Sequence, residues 1–167
     1  MINKEIENKK AGLPCGIKLK LNAITNFSMI NKLYEASQAG VSIQMVVRGI
    51  CCLIPGVKDM SENIEVISIV DRYLEHPRLY IFENGGKQKV YISSADFMTR
   101  NIENRVEVAA PIYDVSLKKQ IIDVFDIIWM DNVKSRIINK KPQNKFRKTS
   151  DKPVRSQWAI YDYYKKL

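Results

Sequence analysis

Residues 41–47, VSIQMVV, alternate in polarity and then run continuously apolar up to Arg48-Gly49. That is the pattern of a largely buried strand, which needs neighbours on both edges and cover over its faces. The flanking segments supply them. Upstream, SMINKLYEASQAG places Met29, Ile30, Leu33, Tyr34 and Ala36 at helical spacing, with Ser28 as the N-cap and Gly40 as the C-cap. Earlier still, CGIKLKLNAIT alternates as a strand does, and IEVISIV at 64–70 repeats the signal. RLYIFEN runs through Gly85-Gly86 into KQKVYIS as a hairpin, and RVEVAAP at 105–111 reads as a further strand. DVSLKKQIIDVFDIIWMDNVKSRII aligns Leu117, Ile121, Val124, Phe125, Ile128, Trp129 and Val133 on one face of a long amphipathic helix. The chain is therefore α/β, with strands separated by helices in its first part and paired in its second. With 167 residues, 46% of them hydrophobic, it can build one domain with a real core.

Charge narrows the partners. The formal net charge is +9, and 139–167 carries nine Lys or Arg against two Asp, so +7 of it lies in this tail. Such an excess favours a polyanion: nucleic acid, nucleotide, polyphosphate or acidic headgroups. The first half of the tail, with Pro142 and Pro153, reads as an extended or mobile segment. The second half, SQWAIYDYYKKL, carries Trp158, Ile160, Tyr161 and Tyr164 and reads as a docking element. A lysine-rich spacer is the plain alternative for this tail. The polar start MINKEIENKK and the lack of any 18-residue apolar run predict no secretory signal, no membrane span and a cytoplasmic protein. Cys15, Cys51 and Cys52 have neither a disulfide framework nor zinc spacing. Any metal is expected to be Mg2+ arriving with phosphates.

Two side chains stand out. Arg48 follows a buried strand and precedes Gly49, at the strand end where open α/β sheets place ligands, and its planar fork of donors suits phosphate oxygens. The structural alternative is an ion pair with Glu75 or Asp71. His76, in DRYLEHPR, is the only histidine. An ordinary pKa of about 6.5 suits imidazole to proton exchange near neutrality, and Arg72 and Arg78 flank it, although a lone histidine can also be merely exposed. Arg105 and Glu107 are expected to pair across strands. ENGGK at 83–87 lacks the phosphate-loop pattern and reads as a hairpin turn.

His76, Arg78 and Glu83 also fall at the offsets of the H-x-K-x4-D motif of phospholipase D-like phosphotransferases, with Ser93, Ser94 and Asp96 at its later polar tetrad. Arg replaces Lys, and Glu replaces Asp. Over about Leu13 to Leu167 the blocks LYEASQAGVSIQMVVRGICCLIPGV, SENIEVISIVDRYLEHPRLYIFENGG, VYISSADFMTRNIENRVEVAAPI and VRSQWAIYDYY together resemble the C-terminal part of the polyphosphate kinase 1 family. The resemblance implies a phospholipase D-like domain with a mixed β-sheet flanked by helices. It implies an interdomain segment at 1–12, the domain proper at 13–138 and the basic tail at 139–167. EIENKKAGLP reads as an interdomain run cut mid-way, as in a fragment.

Members of that family transfer the terminal phosphate of ATP reversibly to inorganic polyphosphate. What the resemblance implies here is that Arg48 and His76 bind ATP phosphates, His76 as hydrogen-bond partner or general acid, with Arg78, Ser94 and Asp96 in support. Mg2+ would accompany ATP or ADP. The other partners implied are polyphosphate, the remaining kinase domains and a second copy of the full-length enzyme. The family's phosphate-carrying histidine lies in the preceding domain, so this chain alone is expected to be inactive. Asn22-Ala23-Ile24 departs from the family's usual asparagine-serine-leucine run, which puts a role for that loop in doubt. The competing expectations are a homodimeric phosphodiesterase or nuclease using one His76 per chain, and a non-catalytic module binding nucleic acid through the tail.

Overall fold

The computed structural model describes residues 1–141, 143–149 and 152–167. Among these residues seven strands form one mixed sheet: β1 (Ile17–Leu21), β2 (Ile43–Val47), β3 (Ile64–Ile69), β4 (Arg78–Phe82), β5 (Lys89–Ser93), β6 (Ala109–Ile112) and β7 (Ser135–Ile138). Their order is β6-β5-β4-β1-β2-β3-β7. The β1-β2-β3 core is parallel, and every other pairing is antiparallel.

The alternation of β1 explains the layering. Ile17, Leu19 and Leu21 face one side, where they join Ile43, Met45, Val47, Ile64 and Val66 under α2 (Phe27–Gln38), which contributes Ile30, Leu33 and Ala36. Ile2 and Ile6 of α1 (Ile2–Lys10) pack against the same cluster. After the short α3 (Thr99–Glu103) comes α4 (Val115–Trp129), and on the opposite side Val46, Ile67, Ile69, Ile81 and Val90 meet its Phe125 and Ile128 and Ile160 of α5 (Ser156–Tyr164). Lys18 and Lys20 of β1 face this second layer, where Lys18 pairs with Asp126 at 2.6 Å. β2 is thus covered on both faces, as its apolar run requires.

Four local expectations are corrected. The α2 N-cap is Asn26, whose side chain accepts from Met29 N at 3.0 Å, so the helix starts before Ser28. Gly40 does close α2, one residue past the cap: its φ of +86° lets Gly40 N and Val41 N donate to Ser37 O and Ala36 O. The strand expected at 105–111 begins only at Ala109, because 105–108 turns back on Ser94 and Asn101; Val106 is 98% exposed. The long helix ends at Trp129 instead of running through 138. Asp131, fully buried, accepts from Val133 N, Lys134 N, Ser135 N and Ser156 N and so turns the chain into β7. Val133 consequently lies off the helix.

The hairpin turn at Gly85-Gly86 is present as a 3-10 turn, Asn84–Gly86. Pro142 lies outside the described residues. The segment after it is pinned in part: Ile137 N donates to Lys145 O at 3.0 Å, Arg147 N donates to Ser135 O at 2.8 Å, and the Arg147 guanidinium lies 5.2 Å from the Trp129 ring centre. The aromatic end of the tail forms α5 and packs along α4. The cysteines are free, and among the described residues no helix is long and apolar enough to cross a membrane.

Candidate phosphate-handling site

Antiparallel pairing sets the start of β4 beside the ends of β1 and β5 (Lys20 opposite Leu79, Arg78 opposite Ser93), and parallel pairing sets Leu21 beside Val47. The residues that follow β1, β2, β3 and β5 therefore gather at one rim with the first residue of β4. Arg48, Asn22, Asp96, Arg78 and His76 all stand there.

Arg48 is half-buried and donates through Nε (2.8 Å) and Nη2 to the single oxygen Asn22 Oδ1. The carboxylate pairing considered for it is not made. Asp71 is taken by Arg155 and Glu75 by Lys20 (Nζ to Oε2, 3.0 Å). A neutral amide orients the guanidinium and leaves its charge uncompensated, which suits binding an anion. Gly49 lies close beside it: a Cβ there would stand 3.1 Å from Asn22 O, a tight contact.

Asp96, 1% exposed, links the two halves. Its Oδ1 accepts from Asn22 N (2.6 Å) and Ala23 N (3.1 Å), and its Oδ2 accepts from Arg78 Nη2 (2.6 Å). Burial alone would push this carboxyl up, but the Arg78 guanidinium and the two backbone N–H groups outweigh it and hold the carboxyl below the ordinary range. The contacts that Asn22-Ala23 makes here use backbone N–H groups and the Asn22 amide, none of which needs the missing hydroxyl.

His76 is exposed in the 70–77 loop. Arg78 Nη1 and Nη2 lie 3.1 Å from His76 Nδ1 and Nε2 respectively. One guanidinium fork thus spans both ring nitrogens and fixes where the imidazole sits. Arg78 is held from the other side by Asp96, and its Nε is buried with no partner among the described residues.

Two expected members stand apart. Ser94 engages Glu107 and accepts from Val108 N at 3.1 Å instead of turning to Arg78 or His76. Glu107 forms no ion pair with Arg105 among the described residues; hydrogen bonds from Ser94 and then Asn101 lower its pKa. Glu83 sits at the far end of β4, roughly 16 Å of strand from Arg78, where it accepts from Gln88 Nε2 at 2.6 Å. The acid that Arg78 uses is Asp96.

The rim offers no ready-made cage of side-chain ligands among the described residues. Asp96, the carboxylate paired to Arg78, has both oxygens engaged, and no cluster of three His, Cys, Asp or Glu is found among the described residues. An apolar cavity of about 480 Å3 lies elsewhere, lined by residues including Ile2, Met29, Phe82 and Tyr91.

Known proteins share this fold and, in part, this sequence. The fold is shared with Nuc of Salmonella typhimurium, a phospholipase D family member (TM-score 0.58, 14% identity, 81% of this chain and 89% of that one). A far closer likeness is the crystal structure of polyphosphate kinase from Porphyromonas gingivalis, at TM-score 0.96 and 48% identity over 99% of this chain and 26% of that one. The polyphosphate kinase of Escherichia coli K12 is 52% identical over 168 residues, all of this chain and 24% of that protein. The chain thus spans about a quarter of the length of the curated relatives it matches. The family model described as polyphosphate kinase C-terminal domain 2 matches residues 1–157. With that match over nearly the whole chain, the protein belongs to the polyphosphate kinase C-terminal domain 2 family.

Proposed function

We propose that this chain supplies one half of a site that transfers the terminal phosphate of ATP reversibly to inorganic polyphosphate. The observation that carries the reading is the continuous network Arg48–Asn22–Asp96–Arg78–His76, which presents two guanidinium groups and an imidazole against one carboxylate at a single rim. Arg48 neutralises and orients phosphate oxygens and stabilises charge as it moves during transfer. The exposed His76 donates a hydrogen bond to a phosphate oxygen or, as general acid, protonates the leaving oxygen. Arg78 holds the imidazole, and Asp96 fixes Arg78. Ser94 enters only by keeping the 93–96 turn in place. Mg2+ reaches the site on the phosphates themselves, and this chain's residues act without ligating it.

The half-site needs a complement. His76 is the only histidine in this chain, and the family resemblance implies that the histidine carrying a covalent phosphate lies in a preceding domain of the longer enzyme. By itself the 167-residue chain binds phosphate chains without turning over ATP. The test is whether the His76 ring responds to a phosphate chain in a manner that depends on Arg48.

A further inference from the structure

The 70–77 loop that carries His76 has little packing of its own. Val70, Tyr73 and Leu74 are 70%, 56% and 76% exposed, and His76 is exposed too. Its order comes from outside, chiefly from one element far away in sequence. Arg155, the N-cap residue of α5, places Nε and Nη2 on the two oxygens of Asp71 at 2.7 and 2.6 Å. Gln157 then grips the backbone of Tyr73 in both directions: Tyr73 N donates to its Oε1 at 3.0 Å, and its Nε2 donates to Tyr73 O at 2.8 Å. This reproduces with a side-chain amide the pair of bonds that a neighbouring strand would make. Gln157 Nε2 also reaches Glu75 Oε1 at 3.0 Å, and Glu75 Oε2 is fixed in turn by the buried Lys20. The residue immediately before His76 is therefore held from α5 on one side and from β1 on the other. Trp158 adds an edge-on contact with Tyr73, their ring centres 6.3 Å apart. α5 is itself anchored, because Ser156 N donates to the buried Asp131 at 2.7 Å.

We propose that Gln157, assisted by Arg155, is a positioning residue for His76: α5 clamps the 70–77 loop so that the imidazole lies against Arg78 and reaches bound phosphate. The inference rests on the reading of His76 as a phosphate ligand, and the C-terminal tail thereby becomes part of the site instead of a basic spacer. Removing the Gln157 amide takes three hydrogen bonds from the loop while leaving the Asp131 anchor and the α4 packing in place.

The test uses the whole chain with two readouts, amide hydrogen exchange without ligand and titration with inorganic tripolyphosphate. In Gln157→Ala the Tyr73 amide is expected to exchange about tenfold faster and tripolyphosphate to bind about tenfold more weakly, at unchanged exchange in β3 and α4. Gln157→Glu retains the acceptor for Tyr73 N–H, loses the donor and repels Glu75, so it weakens tripolyphosphate while keeping most of the Tyr73 protection. Unchanged Tyr73 exchange in the alanine variant overturns the proposal, as does faster exchange with wild-type affinity, or a rise matched throughout β3 and α4. If the wild-type chain fails to bind tripolyphosphate, the functional reading falls, and the exchange data alone decide whether α5 clamps the loop.

Discussion

Asp96→Ala is the substitution that strikes the network at its centre. The alanine removes an acceptor shared by Asn22 N and Ala23 N and the counter-ion of Arg78, whose side chain is 13% exposed. Two backbone donors lose their acceptor, and a mostly buried guanidinium keeps only His76 and loses its counter-ion. Breaking a buried ion pair from one side costs about 3–5 kcal/mol, most of it the stranded charge. In a domain of this length that corresponds to a fall in melting midpoint of roughly 10–15 °C. Circular dichroism melts at pH 7 measure it directly. Adding Arg78→Met removes the stranded charge, so the double variant is expected to recover part of the loss. The pH profile carries a sign as well. The folded carboxyl lies below its ordinary value, so its contribution is fully present above the unfolded pKa of about 3.9 and is lost as pH falls through the folded value. The gap between wild type and Asp96→Ala should stay level from pH 5 to 8 and narrow only in stronger acid. A cost below about 1 kcal/mol, the range of an exposed pair, would refute the reasoning, as would a double variant that shows purely additive loss.

Arg155→Met leaves the Asp71 carboxylate, whose side chain is 2% exposed, without its fork. With Arg155 itself one-third exposed, the urea midpoint at pH 7 is expected to fall, and by less than in Asp96→Ala. Asp71 is also held below the ordinary carboxylate range, first by the Arg155 hydrogen bond, so the two unfolding curves should converge as pH drops below about 4. Burial pushes the Cys51 thiol up to about 11. At pH 8.5 well under about 1% of it is thiolate, and mass spectrometry after brief iodoacetamide treatment should find Cys51 unmodified.

Elements whose burial follows from their own pattern were readable from the chain. VSIQMVV is covered on both faces because it lies mid-sheet, and IKLKL sends leucines and lysines to opposite layers. The end of α4 was not readable, since no glycine or proline marks it. Asp131 does so only because Ser135 and Ser156 come to it, and Ser156 is 25 residues distant. Asn26 takes the cap from Ser28 through a local bond to Met29 N, while its Nδ2 is held by the non-local Thr99 and Glu103. At the rim, Arg48 and His76 could be singled out by strand-end position and rarity. The partner of Arg48 could not, because Asn22 becomes its neighbour only through the parallel register of β1 and β2. Motif spacing pointed to Glu83 as well as Asp96, and strand direction decides between them, placing Glu83 at the opposite end of β4. Gln157 carried no local signal at all; its role exists only once α5 lies beside the 70–77 loop.

The most direct test of the account follows the His76 ring signals by NMR as inorganic tripolyphosphate is added to the 167-residue chain; with one histidine the assignment is unambiguous. Saturable shifts in wild type that are lost in Arg48→Ala, with the fold intact by amide dispersion, are the expected result and mean that Arg48 and His76 grip the same phosphate chain. Ring signals that stay fixed up to millimolar ligand, or that move equally in Arg48→Ala, would contradict it.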